Sequence, residues 1–574
     1  FTLSFIGADS QLVLEDILVG DLWLCAGQSN MQFTLDMLGE SNTEVSPQAY
    51  SNLRLFTVGV TVDYLPKRDL GGGSWNRTTP ESIKNFSATA YYFGKDLVEK
   101  QQVPIGLISS NLGATAIETW MSIDALKAFP QFDAVTDKIL GTNKDFETID
   151  RELEAFRKDW DGEYYLKGIG LSEGWYRDDY DDSDWKECAN GSFWEEQGFC
   201  EHDGSFWYRR KFDLQADQLE YDYQLVLNQI DDYDITWVNG VKVGESFGCS
   251  NFRNYTVPKE ILREKGNSIA IRVFDIGGKG GLYTSPFWGN PVLNGSWKAK
   301  KGTAIDPETF PIPTVVNGSI FSHPALLYNG SIAPLELFPI TGVIWYQGES
   351  NENRAVEYQF LLEAMIKDWR MNWNNPKMPF LIVQLANYRA EDTLPGDSKW
   401  AEIRESQFKA VALPYTDLVT AVDIGDAMDI HPKNKADVGK RLSALAMYYS
   451  YGMPYTNGPK FSSQKIRGNK VHLKLNTYGS ALKSLNKYGY IRGFAVAGSD
   501  GKFVWAKAFV ASNDEVVVYS DSVARPKFVR YAWSDNPGSL DLVNTEGLPV
   551  FPFRTDTLGL STADIKYSYD PHSF

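Results

Sequence analysis

Histidine and cysteine are scarce in this chain, with five of the first and four of the second among 574 residues. No Cys/His spacing suits zinc, so no metal is expected. Cys25 sits in an apolar run and reads as a buried free thiol. Cys188, Cys200 and Cys249 cluster in one region, where a Cys188–Cys200 disulfide stays open. No apolar run is long enough to span a bilayer. Basic residues are outnumbered, 56 Lys and Arg against 74 Asp and Glu, for a formal net charge of −18. The acidic excess is spread along the chain, which argues against nucleic-acid and anionic-membrane partners. The glycines from Gly277 to Gly281 are no dinucleotide fingerprint, because no strand–helix unit follows and Tyr283 breaks the spacing. No cofactor is expected, and nothing in the chain speaks to oligomeric state.

Aromatic residues are plentiful, at 14% with 17 Trp. That fits both sugar-handling surfaces and large β-rich cores. From Ile17 onward the pattern alternates strand and helix. Ile17 to Cys25 is a buried strand, Leu53–Thr57 a short strand, Ala88–Gln101 a helix and Val103–Ser109 another buried strand. Between Gly162 and Trp297 the pattern turns aromatic, turn-rich and alternating, with a hairpin signal at Asn239-Gly240. Helix and strand alternation then resumes. Ile340–Tyr346, Phe380–Gln384 and Leu418–Asp423 are apolar strands, and Tyr358–Trp373 and Lys435–Tyr451 are helices. Continuous apolar strands separated by helices imply a parallel sheet covered on both faces. From Tyr455 the pattern returns to short alternating strands. The expected organisation is an α/β domain in two halves, 17–158 and 305–452, around an inserted β-sandwich at 163–298. A C-terminal β-sandwich follows at 455–574. Phe1 opens the chain without Met, and strand-like sequence is already in progress. A native chain that begins earlier is therefore expected, with 1–16 the remnant of a preceding β-domain.

Four loops leave strand ends of the α/β domain. They hold Ser29, Gly113, Gln347 and His431. In a doubly wound sheet the carboxyl ends of all strands share one edge, where ligands bind. Acyl transfer needs such a set. A serine is a weak nucleophile and requires a base, and His431 is the strongest candidate, with His323 its rival. A carboxylate must hold the imidazole tautomer, and Asp429 lies two residues before His431. The backbone N–H groups of Ser29 and Gly113 and the Gln347 amide can serve as oxyanion donors.

Gly27-Gln-Ser-Asn-Met31, Leu112-Gly-Ala-Thr-Ala-Ile-Glu-Thr-Trp120, Trp345-Tyr-Gln-Gly-Glu-Ser-Asn351 and Asp429-Ile-His-Pro432 resemble the four blocks of the SGNH (GDSL-type) hydrolases. More narrowly they resemble the sialate O-acetylesterase family of carbohydrate acetylesterases. Asp181-Asp-Ser-Asp-Trp185, Trp237-Val-Asn-Gly-Val-Lys-Val243 and Gly277-Gly-Lys-Gly-Gly-Leu282 are similar to the galactose-binding-like jelly roll that this branch carries inside its hydrolase domain. The resemblance implies a flavodoxin-like doubly wound sheet and a secreted or periplasmic serine esterase. It implies Ser29 as nucleophile, His431 as base, Asp429 as its partner, and Ser29, Gly113 and Gln347 as the oxyanion hole. The general pattern has asparagine where Gln347 stands, and Asn351 is the fallback. The Asp-x-His spacing is one residue short, so Asp426 and Asp423 stay open as the acid. Glu118, Trp345, Tyr346, Glu349, Asn351 and Arg354 are candidate substrate contacts, Arg354 as a clamp for a sialate carboxylate. The implied substrate is an O-acetylated sugar, either sialic acid or an acetylated plant polysaccharide of the xylan or xyloglucan type. Two other readings compete. One is a glycoside hydrolase using Glu349 and Asp426, and the other a non-catalytic glycan-binding protein.

Overall fold

The apolar runs become β1 (Asp21–Gly27), β2 (Leu53–Val58), β3 (Gly73–Arg77), β4 (Ile105–Asn111), β5 (Gly342–Tyr346), β6 (Phe380–Gln384) and β7 (Thr416–Thr420). The computed structural model describes every residue except 8–9, 40–49, 102, 200–201, 247, 250, 284–286, 288–289, 311–319 and 570–574. Two compact units result, Phe1–Phe146 with Ser319–Tyr569, and Glu147–Gly318 with Asp570–Phe574.

The seven strands form one sheet of the first unit, in the order β7-β6-β5-β1-β4-β2-β3. All neighbours are parallel except β2 and β3. The edge strand β3 is exposed throughout, whereas β5, β6 and β7 are buried at every residue. Strands buried on both faces must be apolar on both faces, which is why they read as unbroken runs rather than alternations.

Helices cover the sheet on its two sides. Trp23 of β1 meets Phe93 of α2 (Ala88–Gln101) edge-on at 5.1 Å. Trp345 is level with Ala26, so it points to the opposite face. There it meets Trp369 of α3 (Ala355–Asn372) at 5.8 Å. α4 (Lys399–Lys409) packs on α3, and α5 (Lys435–Tyr451) on α2.

The strand order corrects one expectation. A flavodoxin-like sheet places its second strand beside the first. Here β2 pairs with β4, and β1 stands between β4 and β5. The connection from Val58 through β3 and α2 brings the chain back into the gap beside β1, which pushes β2 outward. The switch point consequently lies at β1, with β4, β2 and β3 on one side and β5, β6 and β7 on the other. Gly27 ends β1 level with Asn111 and Tyr346. A Cβ there would stand 2.1 Å from the Tyr346 carbonyl oxygen, and φ is +145°, so only glycine fits this strand end.

The first unit also carries antiparallel sheets built from strands between Lys460 and Arg554. Val471, Leu473, Val496, Val516, Val518, Val529 and Leu542 are buried in their core. The strands Leu3–Ile6 and Gln11–Leu14 pair as an exposed hairpin.

The second unit is antiparallel. Val241–Ser246, Tyr233–Val238, Asn267–Asp275, Gly204–Phe212, Ser296–Ala304 and Lys186–Ala189 form a six-stranded sheet in that order, and Tyr223–Gln229 pairs with Phe252–Val257. Asn239 and Gly240 make the expected two-residue turn, with φ of 51° and 80°. Cys188 is buried in this core. Cys200 lies outside the described residues, and so does the Cys188–Cys200 pair.

Candidate active site

Ser29 is the first residue of α1 (Ser29–Gln32), two residues beyond β1, and is half-buried. The Gln28 N–H donates to the Tyr346 carbonyl at 3.0 Å, which holds the turn against β5. The Gln28 side chain is buried, and its Oε1 accepts from the Gly348 and Ser350 N–H groups at 3.1 and 3.4 Å. The loops after β1 and β5 are thereby stitched together. Gly113, two residues beyond β4, reaches the same place. A Cβ built on it would lie 3.3 Å from the Ser29 Cβ. The Ser29 N–H, at the start of its helical turn, has no intrahelical acceptor. The Gly113 N–H is taken by Gln32 Oε1 at 2.8 Å.

His431 arrives from β7, two strands beyond β5. The bond that closes this gap is made by Asn30, whose Nδ2 donates to the Ile430 carbonyl at 3.0 Å. The residue after Ser29 is thus joined to the residue before His431. The His431 ring lies beside Phe33, with centroids 6.1 Å apart. Asp429 Oδ1 stands 3.4 Å from His431 Nδ1 and accepts the His431 N–H at 2.8 Å. The side-chain contact is longer than a hydrogen bond of 2.7–3.2 Å, as apo catalytic pairs often are. Burial holds the His431 imidazole below its ordinary proton affinity, Asp429 opposes this, and Lys435 adds to it.

The open alternatives find other partners. Asp423 makes a two-pronged pair with Arg441, both contacts at 2.7 Å. Asp426 caps its own turn through the Met428 N–H at 2.9 Å. His323 is buried, with Nδ1 on the Pro324 carbonyl and the ring edge-on to Tyr64. Burial lowers its pKa to about 4.

The predicted substrate contacts are mostly interior. Trp345 is fully buried between Trp120 and Trp369 and serves as core packing. Tyr346 is fully buried as well. Arg354 pairs with Glu118 and Glu357, two carboxylates with almost no exposure. Its guanidinium neutralises buried acids, which is a structural task in place of the expected sugar clamp. Asn351 accepts the Ile117 N–H at 2.9 Å and donates to Glu118 at 3.0 Å. Both Gln347 N–H groups are spent, on the Thr115 carbonyl at 3.0 Å and Asn351 Oδ1 at 2.8 Å. Glu349 is buried and bonded to Asn30 at 2.6 Å.

Three neighbours of the site escaped the sequence reading. Asn30 lies inside the first block, but nothing in the block reveals its partners. Gln32 and Lys435 resemble ordinary surface residues of a helical turn. Lys435 is fully buried and donates to Asn30 Oδ1. Among the described residues, ligand atoms close enough to share a metal occur on Asp231, Asp232 and Cys249, in the second unit.

The serine on the turn after the central strand, the histidine–aspartate pair on the loop that Asn30 grips and the Gly113 N–H nearby are candidates for a nucleophile, a base with its acid and an oxyanion donor. Residues 319–448 match the family described as SASA: Carbohydrate esterase, sialic acid-specific acetylesterase. The sialate O-acetylesterase of Rattus norvegicus is 42% identical over 125 residues, 20% of this chain and 23% of that protein. The human sialate O-acetylesterase is 38% identical over 125 residues, 20% of this chain and 24% of that protein. The matched region is about a quarter of the length of these curated relatives. A crystal structure of a carbohydrate acetylesterase from Xanthomonas citri is 28% identical, covering 97% of this chain and 85% of that one with a TM-score of 0.61. The resemblance to the sialate O-acetylesterase family is borne out, and the chain is related to the sialate O-acetylesterase-type carbohydrate esterases.

Proposed function

We propose that this chain is a secreted or periplasmic serine esterase of the SGNH kind that removes O-acetyl groups from carbohydrate. The observation that carries the reading is the Asn30–Ile430 hydrogen bond of 3.0 Å, which sets the Ser29 turn beside the His431 loop. Ser29 attacks the acetyl carbonyl while His431 takes its proton. Asp429 holds the imidazole and offsets its charge once protonated. The oxyanion rests on the Ser29 and Gly113 N–H groups, and the Gln32 carboxamide moves aside as it forms. Gln347 joins them only by releasing Thr115 or Asn351. His431 then gives that proton to the departing sugar oxygen, which leaves as the free hydroxyl, and water hydrolyses the acetyl-enzyme to release acetate and restore Ser29.

The related acetylesterases support an O-acetylated sugar as substrate. The sialate form is the first to test, and acetylated xylan the second. The inserted and C-terminal β-domains belong to the same proposal, with the C-terminal strands continuing directly from the α/β domain. No described helix is long and apolar enough to cross a membrane. The test is acetate release from 4-nitrophenyl acetate, O-acetylated sialic acid and acetylated xylan, comparing wild type with Ser29→Ala. Release from at least one sugar, abolished in the variant, is the expected result. A folded wild type that releases no acetate from any of the three overturns the proposal in favour of glycan binding.

A further inference from the structure

Lys435 breaks two local rules at once. It is the first residue of α5, where the helix dipole disfavours a cation, and it is completely buried. Its ammonium donates to Asn30 Oδ1. From the other end of the same carboxamide, Asn30 Nδ2 donates to Glu349 Oε1 at 2.6 Å and to the Ile430 carbonyl at 3.0 Å. One amide therefore lies between a buried cation and a buried acid, its oxygen on the first and its nitrogen on the second. Burying an ion costs several kcal/mol, and sheet packing gains nothing from either group. What the pair does is give one side chain a single orientation, and that side chain adjoins Ser29 and grips the residue before His431.

We propose that Lys435, Asn30 and Glu349 form a positioning line for the esterase, one that locks the nucleophile turn to the base loop. This inference rests on the esterase reading. None of the three residues needs to touch substrate, so they are positioning residues. The Glu349 and Asp429 carboxylates and the His431 ring act on Lys435, and the Phe33 and Tyr346 rings lie 5.0 and 5.3 Å from its nitrogen. Burial lowers the Lys435 pKa to about 7, against the pull of the two carboxylates, and with or without the extra proton its nitrogen can donate to Asn30 Oδ1. The cost this cation adds to a protonated His431 is offset by Asp429.

The experiment compares wild type, Lys435→Met, Lys435→Arg and Asn30→Ala. The readouts are kcat and KM on 4-nitrophenyl acetate and, beside them, the His431 titration by NMR of histidine-labelled protein. The His431 signal is the one absent from His431→Gln. The expected result for Lys435→Met is a kcat loss of about 100-fold with KM little changed, from small misplacement of the reacting groups. His431 should titrate at higher pH than in wild type, and Lys435→Arg should restore kcat and this titration toward wild type. Asn30→Ala keeps both buried charges and cuts the line at its centre, so it should lower kcat alone. A folded Lys435→Met with unchanged kcat overturns the inference. If Lys435→Met fails to fold, unchanged kcat in Asn30→Ala does so. A wild type without esterase activity defeats the esterase reading, whereas an active wild type with unchanged kcat in both Lys435→Met and Asn30→Ala defeats the positioning line alone.

Discussion

Gln32 Oε1 accepts the Gly113 N–H at 2.8 Å, in the place where an oxyanion donor of the proposed reaction would act. The Gln32 side chain is exposed, so it can leave, but a substrate must displace it.

Gln32→Ala should therefore raise kcat/KM for 4-nitrophenyl acetate. One neutral hydrogen bond has a net worth of about 0.5–1.5 kcal/mol, which corresponds to a gain of roughly 2- to 10-fold. A fall in kcat/KM would show that Gln32 supports the turn instead of covering the donor.

Asp429 and Asp423 separate chemistry from stability. Asp429→Asn removes the carboxylate beside His431 and should lower kcat roughly 1,000-fold or more, with the melting temperature little changed. Asp423→Asn leaves the Arg441 guanidinium without its carboxylate and should lower stability by about 1–3 kcal/mol with kcat preserved. Paired kinetics and thermal melts check both, and an exchange of these two outcomes would make Asp423 the acid.

Arg354 answers to Glu118 and Glu357, so its loss should register as instability. Arg354→Met strands two buried carboxylates and should cost about 3–5 kcal/mol in denaturant unfolding. The ratio of KM values for O-acetylated sialic acid and a neutral acetylated sugar should not move. A rise in the sialate KM alone would restore Arg354 as a carboxylate clamp.

His323 makes stability depend on pH. Its folded pKa is lowered to about 4 by burial, against an ordinary value near 6.5. Between these values the unfolded chain binds the extra proton, so acid favours unfolding. Its contribution is present in full above about pH 6.5 and lost as pH falls toward 4, a change of roughly 3 kcal/mol. Unfolding free energies of wild type and His323→Leu across this range should converge as pH falls. A constant difference would mean that His323 is protonated where it sits.

Much of the site was legible because its signals are local. A buried strand, a glycine and a serine occupy neighbouring positions, and strand ends at the switch point of an α/β sheet converge by topology. The histidine–aspartate pair is likewise a matter of two residues. Arg354 and Glu118 are 236 residues apart, and no local pattern announces that they neutralise one another. Trp345 reads as an aromatic next to a functional loop. Only its parity with Ala26 turns it to the face that α3 covers.

Sequence alone determined the buried strands, the serine on its turn, the scarcity of histidine that leaves His431 and its rival His323 as candidate bases, and the four blocks. These follow from hydrophobic period, backbone chemistry and residue type, all of which act over a few positions. Tertiary structure decided the strand order, the separate partners of Asp429, Asp423 and Asp426, the interior fate of Trp345 and Arg354, and the hydrogen bonds that join Lys435, Asn30 and Glu349. Each of those depends on which groups are brought together out of water. A buried charge takes its meaning from partners far away in the chain, as Lys435 does from an asparagine 405 residues before it.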